Sequence, residues 1–190
     1  MKVVPNIHNG VPVQALLGRG LFLSWNAGAS SWKLLGRKTL RLSTEGSELL
    51  KRSEGFSSWP YADAAGFQTI GFGHRVKPGE NFASGISQAQ ADAILVQDVR
   101  IAELAVTRLV KVTLTQGQFD ALVDFVFNLG AGQLAGSTLL KYLNGGNYDS
   151  AAWQLLAWDH VGSREVAGLK HRREAEFRLW KPSGNRETAA

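Results

Sequence analysis

Glu54, Asp63 and Thr69 are the residues of this chain whose types and spacing could do chemistry. A glutamate, an aspartate nine residues on and a threonine six further supply two carboxyls and a hydroxyl, the groups that hydrolysis of a glycosidic bond requires. One carboxyl must deliver a proton to the leaving oxygen while the other stays ionised across the sugar ring. Glu54 precedes Gly55, with Phe56 and Trp59 close in sequence, and apolar surroundings disfavour the charged form of a carboxyl. Asp63, in Pro60-Tyr61-Ala62-Asp63, belongs to a hydrated loop and is expected to remain a carboxylate. Spacing alone leaves other pairings open, because the chain holds 16 acidic residues and most such groups are solvated surface charges. The lack of cysteine excludes a thiol nucleophile, a disulfide framework and a cysteine-ligated metal.

The elements that must position this set follow from periodicity. Ser43 or Thr44 can cap a short helix that carries Leu49 and Leu50 on one face and stops at Gly55. From 55 to 85 the pattern turns to short aromatic and alternating pieces punctuated by Gly66, Gly71, Gly73 and Pro78-Gly79, which predicts a small β-hairpin region. Ser87 to Gln90 reads as a capping box, and Leu95, Val99, Ala102, Val106 and Leu109 repeat at helical spacing, a helix long enough to bridge two lobes. A second box, Thr115 to Gln118, opens a helix with Phe119, Leu122, Val123, Val126 and Phe127 on its inner face, closed by Gly130. Further helices are expected near 136–144, 148–158 and 168–180, so the fold class is α+β, mainly helical, with a C-terminal helical bundle.

Charge is spread unevenly. The net charge of the 190 residues is +5, yet residues 1–41 carry Lys2, Arg19, Lys33, Arg37, Lys38 and Arg41 with no acidic residue, and the rest is close to neutral. Pro5, Pro12, Gly18, Gly20, Gly28 and Gly36 interrupt any helix period in this segment, which reads as a basic appendage ahead of a domain at 42–181. Its apolar run is too short to span a bilayer, and Ala27-Gly28-Ala29 only faintly imitates a signal cleavage site. A basic arm of this kind can meet nucleic acid, an anionic lipid surface or an anionic wall polymer, or be plainly solvated, and charge alone does not choose among these. Residues 182–190 read as a flexible tail.

Glu54-Gly55, Tyr61-Ala62-Asp63 and the run from Gly66 to His74 together resemble the signature of phage-type lysozymes, glycoside hydrolase family 24. The likeness continues through Gln97-Asp98-Val99, Leu114 to Leu122, Val126 to Gly130 and Arg172-Arg173-Glu174, covering 42–180 but not 1–41. The resemblance implies a two-lobed lysozyme fold in which Glu54 protonates the leaving oxygen, while Asp63, with the Thr69 hydroxyl, stabilises developing charge and holds the attacking water. It implies a structural pair between His74 and Asp98, and substrate contacts from Phe127, Asn128 and Gln154, with core packing an alternative for Phe127. Arg172 and Arg173 either approach Glu54 or complement the dipole of the last helix. Trp153, Trp158 and Trp180 are expected in the core. The implied activity is a muramidase cleaving peptidoglycan with inversion, made in a host bacterium and acting on its wall. It needs no cofactor or metal, has no nucleic-acid partner and works as a monomer. The alternatives are a lytic transglycosylase using Glu54 alone, and a wall- or membrane-disrupting protein acting through 1–41.

Overall fold

The protein is described from a computed structural model, which covers residues 4–8, 11–17, 21–26, 31–37, 40–63 and 66–180. Four strands, β1 (Val4–His8), β2 (Val11–Leu17), β3 (Leu21–Asn26) and β4 (Ser31–Arg37), pair antiparallel in chain order. The basic segment is therefore a strand meander, for which its prolines and glycines gave no period. The signal-like Ala27-Gly28-Ala29 and the tail at 182–190 lie outside the described residues. Among the described residues no helix is long and apolar enough to cross a membrane.

The chain is anchored to the remainder from Arg41 onward. Glu103 takes hydrogen bonds from Arg41 Nη1 and from the Leu42 amide, each at 2.8 Å. Helix α1 (Thr44–Glu54) then starts on Ser43, whose hydroxyl accepts from the Gly46 amide at 3.1 Å and donates to the Asp120 carboxylate. A Cβ at Gly46 would stand 2.8 Å from the Asp120 side chain, so only glycine lets α1 approach this closely. The helix buries Leu49 and Leu50 and ends on Gly55 at φ 71°, leaving Glu54 as its last residue.

Strands β5 (Ser57–Ala62), β6 (Gln68–Gly71) and β7 (His74–Arg75) form a three-stranded antiparallel sheet. Tyr61 pairs with Thr69, and Thr69 with Arg75. Ile70 and Phe72 are buried, joining this sheet to the core under α2 (Gln88–Leu109). At about 1.5 Å per residue that helix runs roughly 33 Å, enough to link the sheet to the helical lobe. Its capping box is present on Ser87 and Gln90, and Ala91, Leu95, Val99, Ala102 and Val106 make its buried stripe.

Helix α3 (Gln116–Leu129) departs from the one-sided pattern expected of it. Every residue from 118 to 126 is buried, because α1, α2, α4 (Ala131–Gly136) and α7 (Ala167–Trp180) surround it. A helix enclosed on all sides should be apolar throughout, yet α3 buries Asp120 and Asp124. Helix α5 (Thr138–Asn144) is separated from α4 by Ser137, whose hydroxyl caps it by accepting from the Leu140 amide. Helix α6 (Tyr148–Leu155) ends three residues before the expected limit, and β8 (His160–Val161) with β9 (Arg164–Glu165) adds a small hairpin that periodicity did not reveal. Trp180 is in the core, and Trp158 packs edge-on against Phe125. Trp153 was expected there too, but it is 59% exposed and lies across Phe177 at 4.9 Å.

Candidate active site

Glu54 emerges where α1 meets the turn between β6 and β7. Its Oε1 accepts from Arg172 Nη1 at 2.6 Å, and Arg172 is itself forked onto Asp124 through Nε at 2.8 Å and Nη2 at 3.0 Å. Burial works against the charge of Arg172, but Asp124 and then Glu54 outweigh it, so the guanidinium holds its proton more tightly than usual. The other oxygen, Oε2, faces Gly73, where a Cβ would lie 3.2 Å from it. With φ at +82°, Gly73 is also in a backbone conformation that a side chain would strain. The carboxyl is thus held from α7 on one side and open toward the sheet on the other.

This differs from the apolar setting that the sequence suggested. Phe56 packs at a tilt against Phe72, ring centroids 5.5 Å apart, and Trp59 lies over Gly85; Phe56 and Trp59 are both substantially exposed. The immediate partner of Glu54 is a cation rather than a ring, because Arg172, 118 residues away in sequence, is brought to it by the packing of α7 against α1 and α3.

Asp63 closes β5. Its amide donates to the Phe67 carbonyl at 2.9 Å and its Oδ1 accepts from the Phe67 amide at 2.8 Å, so the carboxylate is part of the turn that it terminates. Thr69 is buried on β6, and its hydroxyl donates to the same Phe67 carbonyl at 3.1 Å. With its proton engaged there, the Thr69 oxygen is left as an acceptor. The backbone of Phe67 therefore links Asp63 to Thr69, and the β6–β7 turn comes close to Glu54 at Gly73.

His74 is buried, with Nδ1 2.6 Å from Asp98 Oδ2 and Nε2 2.9 Å from Glu80 Oε2. Burial opposes protonation of the ring, but the hydrogen bonds to Glu80 and Asp98, backed by their charges, prevail and raise its pKa above the ordinary value. The stabilisation this brings is fully present below the unfolded-state pKa of about 6.5 and is lost as pH rises through the higher folded value. Thermal melts from about pH 5 to pH 9 should show Tm falling above neutrality in the native chain, and His74→Asn should flatten that slope. Equal slopes in the two proteins would remove His74 from the account.

The remaining expected contacts are scattered. Phe127 is half-buried against the core, Asn128 Oδ1 accepts from Arg173 Nη2 at 3.2 Å, and Gln154 is half-buried on α6, which packs on α5 and α7. Arg173 is fully buried and pairs with Glu176 Oε1 at 2.6 Å. Asp124 and Glu176 were not singled out from sequence, although a carboxylate inside an apolar helix, and a glutamate three residues after an arginine, are signals that could have found them. Among the described residues no group of three or more His, Asp or Glu is placed to hold a metal ion.

Comparison with known proteins places the chain among phage lysozymes. The phage lysozyme family model matches residues 51–176. The endolysin of Bacillus phage B103 is 40% identical over 146 residues, covering 74% of this chain and 54% of its own length. The endolysin of Salmonella phage P22 is 39% identical over 137 residues, covering 70% of this chain and 94% of that protein. The crystal structure of a P22 lysozyme mutant superposes with a TM-score of 0.68 at 35% identity, over 74% of this chain and 98% of the other.

Proposed function

We propose that this chain, which belongs to the phage lysozyme family and is a peptidoglycan-hydrolysing endolysin, cleaves the β-1,4 bond between N-acetylmuramic acid and N-acetylglucosamine with Glu54 as its general acid. The observation that carries this reading is the two-sided hold on Glu54: Arg172 occupies Oε1, and Oε2 faces Gly73 and the turn of the sheet that bears Thr69. In the acid form the proton then sits on Oε2, the oxygen free to deliver it to the leaving group. Asp63, ionised, stabilises the positive charge that develops at the anomeric carbon and takes a proton from the attacking water. The Thr69 oxygen, left as an acceptor, receives the other proton of that water in a hydrogen bond, so the lone pair of the water points at the carbon. Water attack opposite the departing oxygen inverts the anomeric centre. Phe127, Asn128 and Gln154 are proposed to contact the glycan from the helical lobe.

The tether of Arg41 and Leu42 to Glu103 supports a catalytic unit beginning at about residue 41, with the strand meander as a separate basic unit that meets an anionic wall or membrane surface. The enzyme acts on the cell wall as a monomer and needs no cofactor.

The products test the chemistry. Mass spectrometry of digested peptidoglycan should show fragments one water heavier than the transglycosylase products, with ordinary reducing ends. A digest dominated by anhydro-muramic ends would mean that Glu54 acts alone and that Asp63 and Thr69 hold no water.

A further inference from the structure

We infer that Arg75 is a positioning residue for this reaction, one that fixes the Asp63 carboxylate in the orientation needed to receive a proton from water; the inference rests on the role given to Asp63 above. Arg75 stands directly across from Thr69 in the β6–β7 register, so both side chains belong to one face of the sheet. Its guanidinium lies over the Phe67 ring, 4.3 Å from the centroid, and Nη2 is 3.3 Å from Asp63 Oδ2. The amide of the same Phe67 holds Oδ1 at 2.8 Å. Each carboxylate oxygen thus has its own restraint, one from the backbone of a tight turn and one from a cation resting on an aromatic face.

Rigidity on the other side comes from His74, which precedes Arg75 and is held by Asp98 and Glu80 at both ring nitrogens. Arg75 cannot drift far while its neighbour is clamped. Its side chain is 61% exposed, and exposed ion pairs contribute little to stability, so the pair matters for the direction of the carboxylate more than for the fold. A misplacement of about 1 Å at a reacting group costs on the order of 10²-fold in rate.

The test is steady-state kinetics on solubilised peptidoglycan for Arg75→Met, Arg75→Lys and Asp63→Asn, with Tm measured in parallel. Arg75→Met should lower kcat by roughly 10- to 100-fold with KM within about twofold and Tm nearly unchanged. Arg75→Lys should recover part of the loss through its charge, and millimolar guanidinium should recover part of it in Arg75→Met. An undiminished kcat in Arg75→Met overturns the inference, as does a loss confined to KM, which would make Arg75 a substrate contact. The Asp63→Asn protein separates the two layers of argument: full activity there removes the role of Asp63 and the inference with it. Inactivity there beside a fully active Arg75→Met removes Arg75 alone.

Discussion

Replacing Glu54 with Gln should lower turnover on purified peptidoglycan by at least about 10³-fold, within the range that a positioned general acid contributes. Gln keeps the shape of the side chain and an amide oxygen that can still accept from Arg172 Nη1, as Glu54 Oε1 does at 2.6 Å. What it lacks is an acidic proton. The leaving oxygen would then depart as an unprotonated alkoxide, which is the step that the acid exists to avoid. Arg172 retains both of its bonds to Asp124, so the interior should remain intact and the variant should still sediment with insoluble wall. Turbidity clearance and sedimentation on the same preparation separate these effects. A variant that keeps a tenth or more of native turnover would assign the acid to another group.

The second large effect concerns stability. Arg173 and Glu176 are both fully buried, paired at 2.6 Å, and neither satisfies all of its atoms: Arg173 Nε and Nη1 and Glu176 Oε2 have no hydrogen-bond partner among the described residues. Burial pushes the pKa of Glu176 well up, Arg173 opposes this, and neighbouring Asp124 adds to the rise. Without the arginine, burial and Asp124 would leave this carboxyl neutral. The arginine has no such escape, since a guanidinium keeps its charge. Glu176→Leu therefore leaves the buried Arg173 cation to the Asn128 oxygen and the face of the Phe125 ring and should cost about 3–5 kcal/mol, the range for breaking a buried pair. For a domain of this size that lowers Tm by roughly ten degrees. Arg173→Met should cost clearly less, because the carboxyl it leaves behind can be neutral. Calorimetry on both variants checks the order, and an equal loss from each would mean that the carboxyl left behind by Arg173→Met stays ionised.

Much of this architecture could be read from the chain because its signals are local. The capping boxes at Ser87 and Thr115 need only four residues each, and Gly55 and Gly130 mark helix ends by a backbone angle. The grouping of Glu54, Asp63 and Thr69 rested on the family likeness, because spacing alone left other pairings open among 16 acidic residues. What escaped were relations between distant segments. No local pattern says that α3 would be enclosed on every side, with Asp120 and Asp124 inside it. The approach of Arg172 to Glu54 was one of two alternatives that the family likeness offered, and the structure decides between them, since that contact exists only once α7 has packed. The strands of the basic segment were obscured for a different reason: prolines and glycines hide strand periodicity as effectively as helical periodicity.

The way α1 is pinned has a consequence for how such enzymes diversify. Its first turn is held by Asp120 and its last residue by Arg172, both from the helical lobe, whereas Asp63, Thr69, Phe67 and Arg75 are held to one another inside the hairpin. The proposed proton donor and the proposed water site thus belong to separate parts that approach each other at Gly73. A hairpin spanning 57–75 could be exchanged between relatives as a cassette, renewing the water-handling half of the reaction while the acid stays where the helices keep it.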